Sequence, residues 1–326
     1  MYIEQAYKGL PDIWRYVVGF LTVFIIWQFL GVIPLVVALL LKSESDFLNV
    51  MGSGDMGIMA DMLGSNAFLF FMLLTFLIGL IGLFLYVKFV HRQSLTSLTT
   101  SRKKIDWKRI FFAFIIWAVV SALFVVLDLY LSPEDYEWNF KLVPFLILAI
   151  IAIIMIPIQT SMEEYYMRGY MMQGLGIITK NRWVPLLVTS LLFGAAHLLN
   201  PEVDKLGYGI MVFYMGTGLL LGVMTLMDGG LELALGFHAA NNLFTALLVT
   251  ADWTAFQTES IYRDISEPTL SWDVFVPVLV IYPIILLIFS KKYGWTDWRE
   301  RLTGKIRSRE DFLALPSNET QLQNPS

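Results

Sequence analysis

Long apolar runs separated by short charged loops dominate the chain, and they recur eight times, at about residues 14–41, 67–90, 109–131, 142–173, 183–199, 208–227, 231–251 and 273–290. A bilayer's hydrocarbon core asks for about 20 apolar residues per crossing helix. Only helices and closed barrels satisfy the backbone in lipid, and the short alternating strands of a barrel are missing. The pattern therefore predicts an all-α fold, a polytopic membrane helix bundle of about eight transmembrane helices. The first run follows Lys8 and Arg15, is far longer than a signal-peptide core and lacks a small-residue cleavage site, so it reads as a retained first span.

The loops alternate in charge. Glu44, Asp46, Asp55 and Asp61 outweigh Lys42 after the first span, whereas Arg92, Arg102, Lys103, Lys104, Lys108 and Arg109 outweigh Asp106 after the second. Basic loops face the cytoplasm. The alternation continues through Glu134, Asp135 and Glu137, then Lys180 and Arg182, then Asp252, Glu259, Asp264 and Glu267, and finally the basic tail from Lys291 to Arg309. Both termini are thus expected in the cytoplasm, with Asp228 beside the Gly229-Gly230 turn as a mild dissent. The tail interleaves its cations with Tyr293, Trp295 and Trp298, which reads as an anchor among membrane lipids rather than a nucleic-acid site. From Leu315 onward the polar composition reads as disordered.

Composition agrees with this picture: of 326 residues 57% are hydrophobic and 15% charged, and mean hydropathy is +0.65. Cysteine is absent, which excludes disulfides, a thiol nucleophile and thiolate metal ligation. No internal repeat supports an inverted-repeat transporter. Gly218 and Gly222 form a small-xxx-small pair suited to close packing within the bundle.

Charge at the end of an apolar run needs a reason, since a buried ionisable group costs roughly 2.5–3.5 kcal/mol on insertion scales and usually marks function. The stretch Ser161-Met162-Glu163-Glu164-Tyr165-Tyr166-Met167-Arg168 carries three such groups. On a helix Glu164 and Arg168 share a face and can pair, while Glu163 is turned away from that cation. Glu163 is the candidate for chemistry and Glu164 for structure. His91 lies at a loop boundary, but His197 and His238 fall inside predicted spans. His238 and Asn242 share a helical face and could both donate to one oxyanion, with Asn241 turned aside. Glu163 with His197 could hold and deprotonate a water.

Three motifs in order, Glu163-Glu164-x-x-x-Arg168, Phe193-x-x-x-His197 and His238-x-x-x-Asn242, resemble the CPBP family of intramembrane proteases. That family includes the CAAX prenyl endopeptidases and the bacterial Abi and bacteriocin-immunity proteins. The resemblance covers roughly residues 140 to 250. It implies that Glu163 and His197 activate water, that His238 and Asn242 form an oxyanion hole, and that Glu164 pairs with Arg168. It further implies an endopeptidase acting on a peptide or lipidated protein substrate, in a bacterial inner (plasma) membrane. No His-Glu-x-x-His element is present, and glutamate-water chemistry without a required cofactor is preferred, with a zinc site of Glu163, His197 and His238 as the chemical alternative.

The expected organisation is an N-terminal three-helix region over 1–131, a catalytic membrane core over 132–255, a last loop and eighth span over 256–290 and a cytoplasmic tail over 291–326. Two rival functions remain at this point: a non-catalytic regulatory or immunity partner of the same fold, and a proton-coupled transporter. The span limits also leave a tension of depth, with Glu163 near the inner face, His238 a short way in and His197 deeper.

Overall fold

The structure is a computed structural model that describes residues 1–314; the expected disordered stretch from Leu315 lies outside them. It is an all-α polytopic bundle. Among the described residues six helices are long and apolar enough to cross a membrane: Ile13–Lys42, Ser65–Phe89, Trp107–Leu131, Leu142–Thr179, Pro201–Asp228 and Val274–Tyr293. The other two expected spans are helices too, Trp183–Ala195 and Glu232–Leu248, but shorter than a full crossing asks. Local chemistry explains why. The fifth helix gives way to a turn at 196–200 before Pro201 starts the next helix at its first position, and the seventh begins just past Gly229, whose φ of 75° suits glycine.

The fourth helix is longer than its hydropathy indicated. It runs to Thr179 and closes on Lys180 in the left-handed conformation, φ 58°. That extension removes the tension of depth. At 1.5 Å per residue, Glu163 stands about 25 Å from Lys180, and His197 about 22 Å from Arg182. Helices four and five, joined by that short turn, bring the two side chains level.

Loops of like charge gather at the same ends. At the basic end, Arg182 donates to Glu300 O at 2.7 Å and Arg301 to Met227 O at 2.8 Å. Tyr2 to Tyr7 lie buried there, in and beside a short 3-10 helix. At the acidic end a small sheet closes the loops: β1 (Tyr136–Trp138) pairs antiparallel with β3 (Tyr262–Asp264), which pairs parallel with β2 (Val249–Ala251). Three-residue strands leave no hydropathy signature, so the sequence gives no sign of them.

Three readings change. Asp228 is buried and takes Arg102 at 2.8 Å and Arg109 at 2.5 Å, so an acidic residue at the basic end is a counter-ion rather than a dissenting loop charge. Trp295 is no lipid anchor: it is buried, donates to Asp228 at 3.3 Å and packs on Phe289. Phe312 likewise folds back against Tyr7. His91 also does more than mark a boundary, since both ring nitrogens are bonded, to Leu10 O at 2.9 Å and the Tyr170 hydroxyl at 3.1 Å. Burial holds its pKa below the ordinary histidine value.

Gly218 and Gly222 pack inside the bundle, against the fifth helix. A Cβ on Gly218 would stand 2.8 Å from Ser190 O, and one on Gly222 2.6 Å from Leu186 Cδ1. The opposite faces of the helices, such as Val119, Leu123 and Val126, stay exposed as a lipid-facing band. The Gly218→Ala variant should melt lower in lipid nanodiscs, because a clash with backbone, costing about 1–3 kcal/mol, outweighs the helix propensity of alanine; unchanged melting would refute the close approach. Asp228→Asn should cost on the order of 3 kcal/mol by leaving two arginines short of a counter-charge, measured by the same melt, with wild-type stability as the contrary result.

Candidate active site

Pro157 lies inside the fourth helix, and a wide π-turn occupies Tyr165–Met171, so the two glutamates sit between two irregularities. Such π-turns recur at functional sites. Side chains also bond the backbone here: the Thr160 hydroxyl donates back to Ile156 O at 3.1 Å, and the Tyr2 hydroxyl lies 3.2 Å from Arg168 O.

The two neighbouring carboxylates have different surroundings. Glu164 is fully buried and its Oε1 accepts from Arg168 Nη1 and from His238 Nδ1, each at 2.8 Å. Arg168, equally buried, also donates to Gly218 O at 3.1 Å and lies over the Phe193 ring at 4.3 Å. Glu163 retains 13% exposure. Its Oε1 accepts from Gln159 Nε2 at 2.8 Å, and its Oε2 lies 3.4 Å from His238 Nε2, too long and poorly aligned to count as a hydrogen bond. That oxygen has no hydrogen-bond partner among the described residues.

His238 thus stands between both glutamates, with Nδ1 toward Glu164 and Nε2 toward Glu163. With Nδ1 as donor, Nε2 carries a proton only in the imidazolium. Two carboxylates thus face one guanidinium and one imidazole. Asn242, one turn further on, donates to Gln159 Oε1 at 3.0 Å. Both oxyanion candidates are therefore tied to the surroundings of the same carboxylate, one directly and one through Gln159.

His197 is placed less closely. Its Nδ1 lies 2.7 Å from Phe193 O in its own helix, and its ring stacks on Tyr214 at 4.3 Å and 21°. No hydrogen bond joins it to Glu163 among the described residues; the Phe193 ring lies against both it, at 4.9 Å, and His238, at 5.7 Å. With Nδ1 bonded to a carbonyl, the tautomer is set and Nε2 is left as the acceptor. No three His, Asp or Glu side chains gather as a metal-ligand set among the described residues. Glu163, His197 and His238 do not form such a set here, and no step is assigned to zinc.

Gln159, Trp117 and Tyr214 escaped the sequence reading, and Asn241 was set aside by it. Gln159 could have been found, being a polar residue one turn before Glu163 in an otherwise apolar run. Asn241, seen as facing aside, accepts from Trp117 Nε1 at 3.0 Å and donates to Asn242 at 3.1 Å. Trp117 and Tyr214 carry no signal, because aromatic residues are common throughout these spans.

Residues 138–244 match the family model described as type II CAAX prenyl endopeptidase Rce1-like. The chain is also similar to the uncharacterized protein YyaK of Bacillus subtilis, with 28% identity over 288 residues that cover 87% of this chain and 95% of the relative. No solved structure gives a significant match. The family match spans every residue of the three motifs, and the resemblance to the CPBP intramembrane proteases is thereby borne out over the helices that carry the site.

Proposed function

We propose that the chain is an intramembrane endopeptidase that hydrolyses a peptide bond of a membrane-associated or lipidated protein, from the cytoplasmic side of a bacterial inner membrane. One observation carries the reading: of two adjacent buried carboxylates, each with one unbonded oxygen, one holds Arg168 and His238 through its other oxygen, while the second has no cation of its own and turns its unbonded oxygen toward the far nitrogen of the same histidine. A structural pair needs only the first.

In this scheme Glu163, aided by His197 Nε2, takes a proton from water as the water attacks the scissile carbonyl. The oxyanion that forms accepts from His238 Nε2–H and from the second N–H of Asn242, whose first is spent on Gln159. Glu163 then passes its proton to the departing amine as the C–N bond breaks. Glu164 holds His238 Nδ1–H, so that the ring keeps its second proton aimed at the site, and Arg168 holds Glu164. The catalytic core at 132–255 supplies all of these groups. Both termini are placed in the cytoplasm on the strength of the basic loops that gather at one end of the bundle.

Purified protein in lipid should cleave a farnesylated fluorogenic peptide faster than the same peptide without its lipid, and EDTA should leave the rate unchanged. Asn242→Ala should lower kcat by about 100-fold or more with little change in KM, as expected for a donor used only in the transition state. A folded wild-type protein that cleaves neither this peptide nor any protein of a co-reconstituted membrane extract would overturn the protease reading. Loss of activity with EDTA that zinc restores would overturn the metal-free scheme.

A further inference from the structure

Trp117 sits in the third membrane helix, outside the family-matched residues, yet it begins a continuous series of hydrogen bonds that ends on Glu163. Its Nε1 donates to Asn241 Oδ1 at 3.0 Å. Asn241 Nδ2 donates to Asn242 Oδ1 at 3.1 Å, Asn242 Nδ2 to Gln159 Oε1 at 3.0 Å, and Gln159 Nε2 to Glu163 Oε1 at 2.8 Å. The two ends differ in kind. An indole N–H can only donate, and an ionised carboxylate can only accept.

Between those ends lie three amides, each of which can present either its oxygen or its nitrogen to a neighbour. A donor-only end and an acceptor-only end permit one orientation for all three, with each oxygen toward Trp117 and each nitrogen toward Glu163. If the indole donor were lost, the order would rest on Glu163 alone, and once Glu163 takes the proton of the attacking water that end can donate as well as accept, so the amides could reverse together at the step where the oxyanion forms. A reversed Asn242 would turn an oxygen, not an N–H, toward a developing oxyanion. Trp117 and Gln159 are buried, and Asn241 and Asn242 between them are half-buried, so an amide misoriented within the series loses partners that only part of the series could replace with water.

We propose that Trp117 is a positioning residue that fixes the orientation of Asn242, and with it the oxyanion donor, through Asn241, and that Gln159 couples this donor to Glu163. The inference rests on the protease reading for its consequence in catalysis, but the hydrogen-bond series exists or fails independently of that reading. The indole ring has a separate packing role, against Phe237 at 4.2 Å and Tyr282 at 5.8 Å. A Trp117→Phe substitution keeps an aromatic ring there and removes the donor.

The test is a double-mutant cycle on cleavage of the farnesylated peptide, with Trp117→Phe made in wild type and in Asn242→Ala. Trp117→Phe should lower kcat about 5- to 20-fold with KM within about twofold, and should cost nothing further once Asn242 is gone. An equal loss in both backgrounds, or one confined to KM, would overturn the proposal in favour of simple packing. Should Trp117→Phe fold poorly, Asn241→Leu breaks the series at the next residue and should give the same pattern.

A second arm needs no activity. The indole N–H signal of Trp117 in 15N-tryptophan-labelled protein, assigned by its loss in Trp117→Phe, should be protected from exchange and should shift in Gln159→Leu, three hydrogen bonds away. An indole signal indifferent to Gln159→Leu would sink the series even if the enzyme cleaves. Coupling without any cleavage by wild type would sink the protease reading and leave the series standing.

Discussion

Arg168 has no exposed surface, and the centre of the bundle is organised around making that charge tolerable. An ion taken out of water costs several kcal/mol unless good geometry and hydrogen bonds replace its hydration. Here the replacement comes from four helices: Glu164 on the fourth, the Phe193 ring on the fifth, Gly218 O on the sixth and, through Glu164, His238 on the seventh. The close approach that Gly218 permits is part of the same arrangement, since a side chain there would push the sixth helix away from Ser190. Packing and charge thus fix one another.

The consequence for chemistry follows from adjacency. Because Glu164 is committed to Arg168 and His238, its neighbour Glu163 is delivered to the same depth without a cation of its own. The wide turn and Pro157 on either side let consecutive residues serve different purposes. His238 then joins the two, one ring nitrogen on the structural carboxylate and the other facing the reactive one. The amides of Gln159, Asn242 and Asn241 extend this order outward to Trp117.

Much of this was legible from spacing alone. Helical geometry separated Glu164 and Arg168 from Glu163, and placed His238 and Asn242 on one face, because those relations lie within single helices. Relations between helices were not legible. Asp228 looked like a stray acid until Arg102 and Arg109 were found against it, and Trp295 looked like an interfacial anchor until it proved to be covered. Hydropathy ended the fourth helix at 173, whereas the glycine-containing stretch that follows, Gly174 to Thr179, continues it because neighbouring segments such as Tyr16 and Ile3 pack on its glycines. Tertiary packing overrode local propensity there, and the depth of the whole site depended on it.

The claim at the centre of this account is a division of labour between two adjacent glutamates, and melting and peptide turnover measured together on Glu163→Gln and Glu164→Gln test it most directly. Glu163→Gln should melt within about 1 kcal/mol of wild type and cleave nothing, whereas Glu164→Gln should lose about 3–5 kcal/mol by stranding the Arg168 charge. A Glu163→Gln protein that cleaves at the wild-type rate, or a Glu164→Gln protein as stable as wild type, would contradict it.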